Sequence, residues 1–322
     1  MMKKNSLNNR LADFSGFYKT ARSLWRIRGI IKRNAVIAIN GHNHTKTSDG
    51  DLDSFGLLFL NWLFGFRGIT VTDHNSLLWG KNEKAYAKIF KNILNTSFCP
   101  GIEFSCFFDL SEFGGDRQKE FHIVGTGVNP NNKKLNSAIK NIRKGREEMT
   151  ERMLEKIRDS GFSIIPFKEL KKKSGGNVTL TDIAKNVKDK AGKNINVENF
   201  IGTHLLKGGD CFVPNDMLLS VHCAVEIIKA SGGVVVWAHP KDTLSALFST
   251  DFEKVALRLK DIGINGIEAF RDNHTAEDVE KIESFCVNND LEIRAGSDMH
   301  KAKDLLVYVE NIVTIFEQNK KL

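Results

Sequence analysis

No stretch of this chain is apolar for long. The richest run, residues 55–66, is short of the ~20 residues that a membrane-spanning helix needs, and it contains Asn61 and two glycines. It reads as a buried helix, and no transmembrane segment is expected. The early lysines lead to no apolar core and no small-residue cleavage site, so a secretory leader is not expected either. Cysteine is sparse: Cys99, Cys106, Cys211, Cys223 and Cys286 are odd in number and lack paired C-x-x-C spacing. That argues against a disulfide framework or a cysteine zinc site and favours a reducing, cytoplasmic setting. No internal repeat or low-complexity tract interrupts the chain. A hydrophobic content of 41% with 27% charged residues is that of an ordinary globular protein, and 322 residues suffice for one large domain or a barrel with an insertion.

Charge is unevenly placed. Of 47 Lys and Arg, nine fall in residues 1–34 against a single acid, Asp13; the remainder carries 38 basic and 38 acidic residues. The net charge of +8 therefore belongs to an N-terminal arm. With Phe14, Phe17, Tyr18, Leu24, Trp25, Ile27, Ile30 and Ile31 among its basic residues, the arm suits a basic amphipathic helix. Such a helix fits a membrane surface, a partner groove or nucleic acid, and equally fits packing against the barrel with a solvated basic face.

Short β-rich runs recur at residues 35–40, 69–72, 98–102, 121–126, 234–237, 266–269 and 292–295, most followed by a helical pattern. Helices are expected at residues 54–66, 82–94, 252–262 and 276–288. Strands alternating with helices predict a parallel α/β sheet, and seven strands are close to the number that closes a barrel. About a hundred residues between Val128 and Val234 break this rhythm, where a simple βα unit needs far fewer. They open with a strong helical pattern over residues 135–160, closed by Gly161 as a helix C-cap. The expected organisation is a basic arm (1–34), a barrel (35–128 and 231–322) and a helical insertion domain (129–230).

The histidines fall where a barrel enzyme builds its site, near the C-terminal ends of strands. His42 and His44 follow the first strand; residues two apart in an extended segment point to the same side and can grip one ion. Asp49 lies shortly after, His74 follows the second strand, Glu103 the third and His239 the fifth. Asp298 and His300 close the seventh strand with a second i, i+2 pair. His122 sits least comfortably, at the start of its run. A single buried histidine is more often a hydrogen-bonded core residue than a ligand; it is the ensemble of six strand-end histidines with carboxylates that points to metal. Imidazole with carboxylate suits Mn, Fe, Zn or Ni better than Ca or Mg alone.

The motifs His42-x-His44, Ser48-Asp49-Gly50, Thr72-Asp73-His74, Gly101-Ile102-Glu103, His122-Ile123-Val124-Gly125, Ala238-His239-Pro240 and Gly296-Ser297-Asp298-Met299-His300 resemble, in order and rough spacing, the polymerase-and-histidinol-phosphatase (PHP) superfamily. The resemblance spans about residues 37–303 and lies nearest the stand-alone nucleotide phosphatases and 5′-exonucleases. It implies a distorted (β/α)7 TIM-like barrel with a helical insertion and a cluster of two or three divalent metals (Mn, Fe or Zn). His42, His44, Glu103 and Asp298 would hold the first. Glu103 would bridge to a second held by His122 and His239. Asp49, His74 and His300 would hold the third. Glu103, Asp298 and His300 are the expected catalytic positions. The implied activity is hydrolysis of phosphate esters, of a small molecule or a nucleic-acid end, by a hydroxide bridging the metals.

Ser105, Arg143, Arg146, Arg271 and His274 are candidate phosphate contacts, because a guanidinium fork matches phosphate oxygens and the others lie on or near the functional rim. Asp73 is a candidate to orient a ligand, while His204 and His222 read as structural. The family often carries an arginine where this chain has Thr179, a departure that bears on substrate. A histidinol-phosphate-type phosphatase is the alternative, against which the large insertion and Asp49 weigh. A non-catalytic metal-binding scaffold and a C–N hydrolase built on a similar metal barrel are further readings.

Overall fold

The computed structural model describes residues 24–77, 81–174, 178–191, 195–214 and 218–319. The protein is a mixed α/β barrel. Its strands are β1 (Ile39–Asn40), β2 (Gly68–Val71), β3 (Ser97–Phe108), β4 (Lys119–Thr126), β5 (Leu219–Ser220), β6 (Val234–Trp237), β7 (Gly266–Phe270) and β8 (Glu292–Ala295). The main path runs β1-β2-β3-β4-β6-β7-β8, with β5 added beside β3. The ends of that path meet: Gly41 N–H donates to Ala295 C=O (2.9 Å), and Asn43 bridges Met299 in parallel sense.

One strand corrects the expectation of an all-parallel sheet. β4 is antiparallel to both β3 and β6. The connection, residues 109–118, contains only the 3-10 turn Ser111–Phe113. A parallel return needs a crossover of a dozen or more residues, usually helical, so this chain can only double back as a hairpin. Two lengths also differ. The first strand shrinks to Ile39–Asn40 because residues 35–38 form turns. The third extends to Phe108 because the hairpin carries it beyond the barrel.

Helices cover the barrel. Residues 24–33 form α1, which buries Ile31 completely. Its Arg28 donates to Leu63 C=O (2.7 Å) and to Trp62 C=O, at the C-terminus of helix α2 (Ser54–Phe64), and lies over the Trp62 ring. This part of the basic arm therefore packs on the barrel. Residues 1–23, with Phe14, Phe17 and Tyr18, lie outside the described residues. α2 stops before the expected residue 66 because Gly65 takes the left-handed conformation (φ 99°), where a Cβ would collide with Arg28. α3 (Lys81–Leu94) completes this side.

α4 (Lys133–Asp159) joins two cores. Its first half buries Leu135, Ile139 and Ile142 with the barrel. Its second half buries Met153, Leu154 and Ile157 in a separate cluster with α5 (Phe167–Lys173), α6 (Leu180–Ala191) and α7 (Val197–Phe200). Gly161 (φ 85°) ends α4, and Phe162 N–H reaches back to Ile157 C=O. α8 (Val221–Ala230) turns Val221, Ala224, Val225 and Ile228 into the barrel core. α9 (Pro240–Leu244), α10 (Leu247–Ile262), α11 (Ala276–Asn288) and α12 (Ala302–Asn319) follow the later strands. No described helix is long and apolar enough to cross a membrane.

His274 is packed into this wall, with Nδ1 donating to Ala269 C=O (2.7 Å) and Nε2 buried without a partner. Burial, against the pull of the Ala269 carbonyl, lowers its pKa from 6.5 to about 4. An unfolded chain therefore binds this proton at higher pH than the folded one, and folding stability must fall as pH drops from 6.5 toward 4. Urea titrations at pH 7 and pH 5 should show a loss that is smaller in His274→Gln by up to about 2 kcal/mol. Equal losses in both proteins would contradict it.

Candidate metal centre

The centre is built where the parallel strands end. β3 overshoots the end of β2, so that Glu103 stands level with His74, to which it is bridged in parallel sense. The antiparallel course of β4 brings His122 opposite Ser105, on the same rim. This resolves the oddity of a candidate at the start of its run, since the start of an antiparallel strand lies beside the ends of its parallel neighbours. His239 follows β6, while Asp298 and His300 follow β8. His239 (φ 32°) and Asp298 (φ 49°) both hold a left-handed backbone, which is uncommon for such residues and costs energy. Packing imposes that conformation and turns both side chains inward.

Glu103 is the hub. It is wholly buried, and five imidazoles approach its carboxylate: His122 Nδ1 at 2.8 Å, His74 Nδ1 at 3.0 Å, and His42 Nε2, His44 Nε2 and His239 Nε2 at 3.2 Å. Asp298 Oδ1 lies 3.0 Å from His44 Nε2 and 3.3 Å from His42 Nε2. Asp49 meets His300 Nε2 at 3.4 Å and His44 and His74 at 3.6 Å. The side chains fall into overlapping groups able to hold a metal ion: His42, His44, Glu103 and Asp298; His44, Asp49, His74 and His300; and His74, Glu103 and His122. Eight of the nine sequence candidates fall in these groups, and His239 joins them through Nε2, 3.2 Å from Glu103 and 3.1 Å from His122 Nδ1. His44 and His74 each reach two groups, where the family pattern assigns each to one.

Electrostatics press the same way. Burial favours neutral groups, yet the surrounding imidazoles, His74 and His42 foremost, hold Glu103 well below the usual carboxylate range. Burial likewise opposes charge on His44 and His122, but hydrogen bonds and the charges of Asp298 and Glu103 for the one, and of Glu103 and Glu120 for the other, push each up to about 10. His74 goes down to about 3, because burial and the neighbouring His44 and His122 outweigh Glu103. Two nitrogen pairs, His42 Nε2–His44 Nε2 and His122 Nδ1–His239 Nε2, approach to 3.1 Å. His74 Nδ1 and Glu103 Oε2, though 3.0 Å apart, lack the geometry of a hydrogen bond. Nitrogen atoms packed this closely around a buried carboxylate fit divalent cations of imidazole and carboxylate preference.

Around the ligands stand Glu268 and Glu120, which the motifs did not mark, and Asp73, which they did. Glu268, buried in β7, accepts from His42 Nδ1 and from His239 N–H, both at 2.9 Å, and so orients two candidate ligands. Gly296 makes this possible, since a Cβ there would lie 2.4 Å from Glu268 Oε1. Glu120 approaches His122 Nε2 at 3.3 Å. Asp73 accepts from Thr45 N–H, Thr45 Oγ1 and Ser48 Oγ, all at 2.7 Å, tying down the loop that carries His44 and Asp49. An acid in mid-strand carries no motif, so only its place three residues before Arg271 hinted at Glu268.

The candidate phosphate contacts separate. Ser105 Oγ lies 3.4 Å from His122 Nε2. Arg146, on α4, is near enough to Asp49 and Glu120 to feel their charge. Arg143 lines a cleft of about 420 Å³ with Leu77, Asn136, Ile139, Lys140, Lys144 and Glu147. Arg271 is only 4% exposed and pairs through Nη2 with Asp298 Oδ2 at 3.3 Å, which places it behind the centre. His274, 2% exposed, is equally enclosed. Thr179 caps α6, with Oγ1 and N–H both donating to Asp182. His222 is exposed.

No protein-family model matches the chain. It is 26% identical over 263 residues to a 3′,5′-nucleoside bisphosphate phosphatase of Chromobacterium violaceum, covering 81% of this chain and 87% of that protein. It is 23% identical over 260 residues to a 5′-3′ exoribonuclease of Haemophilus influenzae, covering 80% and 88%. Among solved structures, an amidohydrolase from Chromobacterium violaceum with bound sulfate and no metal superposes with a TM-score of 0.64 at 25% identity, over 82% of this chain and 88% of that one. A metal-dependent phosphoesterase from Bifidobacterium adolescentis shares the fold, with a TM-score of 0.63 at 20% identity over 80% and 86%. These relatives and the shared fold agree with the PHP resemblance of the motifs. The donor set described above is of the kind that binds divalent metal.

Glu268 makes a direct test of this centre. Glu268→Gln keeps the volume but removes the charge that fixes the His42 tautomer. Divalent-metal affinity, read by competition with a chelating dye, should fall about 10- to 100-fold. An unchanged affinity would contradict the orienting role.

Proposed function

We propose that this chain is a PHP-superfamily phosphoesterase that removes phosphate from nucleotides or trims the 5′ ends of oligonucleotides, with His42, His44, Asp49, His74, Glu103, His122, His239, Asp298 and His300 as its metal ligands. The convergence of five imidazoles on one buried carboxylate carries this reading. Two or three divalent ions, Mn, Fe or Zn, would raise a nucleophile from water near neutral pH and take up charge developing on phosphoryl oxygens. The protein does the rest by placement. Glu103 ties together candidate ligands from four other strand ends, and Asp298 is steadied by Arg271 from behind. Arg146 feels the charge of Asp49 and Glu120 but pairs with no carboxylate among the described residues, which suits a guanidinium reserved for a phosphate. Ser105 lies beside His122, at the edge of the same opening. Lys140, Arg143 and Lys144 make one side of the neighbouring cleft basic, as a second phosphate or a polynucleotide strand would require. The names of the two curated relatives favour a nucleotide substrate over histidinol phosphate. We also read residues 129–230 as the helical insertion, supported by the second core beneath α5, α6 and α7.

The test is phosphate or nucleotide release by Mn-loaded protein from a nucleoside 3′,5′-bisphosphate, a 5′-phosphorylated oligonucleotide and histidinol phosphate. The first or second should be turned over, and His42→Ala should lose at least about 100-fold in rate. Release from the oligonucleotide should weaken steeply with salt, and release from the bisphosphate much less. Metal-loaded protein that acts on histidinol phosphate or an amide alone would overturn the nucleotide reading.

A further inference from the structure

A second cluster of metal-ligating side chains lies far along the chain from the barrel centre, in the helical region, and none of its members belongs to the nine residues above. α7 runs directly into a π-helical turn, Ile201–Leu205, and the chain then folds back on itself. Cys211 N–H donates to His204 C=O (3.0 Å), and Gly209 N–H donates to Leu206 C=O (2.8 Å). Gly209 presses so tightly against this turn that a Cβ would lie 2.5 Å from the carbonyl of His204. Gly208 (φ 98°) supplies the left-handed step before it. The result is a closed loop that delivers His204, Asp210 and Cys211 to one point.

Their ligand atoms all lie within 4.8 Å of one another. His204 Nδ1 is 2.6 Å from Asp210 Oδ1. Cys211 Sγ is buried, with Ser160 Oγ, the C-cap of α4, at 3.7 Å. The His204 ring is fixed between Phe162 and Phe200, with centroids at 5.3 and 4.7 Å. One imidazole, one carboxylate and one thiol, held rigidly and open on the Asp210 side, form a three-ligand set of borderline softness. That is the donor combination of a tetrahedral zinc-type ion with water or the Ser160 hydroxyl as fourth ligand. π-Turns also concentrate at functional sites.

We propose that His204, Asp210 and Cys211 form a separate binding site for one zinc-type divalent ion. The ion would tie the π-turn and the end of α4 together across the second core. This site is independent of the barrel centre and of its substrate. Isolated ion pairing between His204 and Asp210 is the competing account, and it leaves the thiol out.

Cobalt substitution separates the two. None of the nine barrel residues is a cysteine, so a thiolate-to-cobalt charge-transfer band cannot arise there. Full-length protein titrated with Co²⁺ should develop such a near-ultraviolet band. Cys211→Ser should abolish it and lower zinc content by about one equivalent per chain. Asp210→Ala, at an exposed position that removes no core packing, should weaken cobalt binding at this band about 10-fold or more. Cys223→Ser should leave the band unchanged. Absence of the band in the unaltered protein, or its survival in Cys211→Ser, would overturn the proposal.

Discussion

A carboxylate without access to water lies at the middle of this molecule, and its neighbours answer to it. An ionised Glu103 in an apolar barrel would be prohibitively costly alone, and it is tolerable only because positive charge or protons are brought to it from all sides. Five imidazoles do so, contributed by four strand ends, with His42 and His44 both following β1. Those imidazoles in turn need orientation, which Glu268 and Glu120 supply, and Arg271 balances the charge of Asp298 and Glu268 from behind. The polar centre is thus a layered arrangement in which each charge is compensated by the next. The close nitrogen pairs, and the His74–Glu103 approach without a hydrogen bond, mark the places where compensation by protein is incomplete and a cation would complete it.

Meeting that demand shapes the backbone. β4 runs against its neighbours, and this reversal is what brings His122 to the rim. The left-handed residues His239 and Asp298 turn their side chains inward at an energetic cost that the packed strand ends sustain. α4 extends from the barrel wall to the second core, so that Arg143 and Arg146 approach the centre from a rigid element.

Much of this was readable in the amino-acid order, because the candidate ligands sit beside strand-end motifs such as Ala238-His239-Pro240, and a barrel gathers its strand ends in one place. The number of barrel strands and the extent of α11 were readable for the same reason: periodicity is strong where one face is buried. The direction of β4 was missed, although the short, helix-free link at residues 109–118 carried the signal. Glu268 escaped because an acid inside an apolar strand has no partner in sequence; its partner His42 is remote along the chain. Arg271 and His274 were placed on the rim from their position after a strand, but burial behind the centre depends on how α10 and α12 close over β7. His204 had no visible pattern because Asp210 and Cys211 become its neighbours only through the tight approach of Gly209.

The central claim is that the imidazoles and carboxylates around Glu103 exist to hold metal. Anomalous diffraction from crystals of manganese-loaded protein, collected on both sides of the metal absorption edge, tests it most directly. The account predicts peaks lying between Glu103 and the imidazoles of His42, His44, His74, His122 and His239. Manganese bound only elsewhere, with Glu103 still flanked by protonated imidazoles, would contradict it.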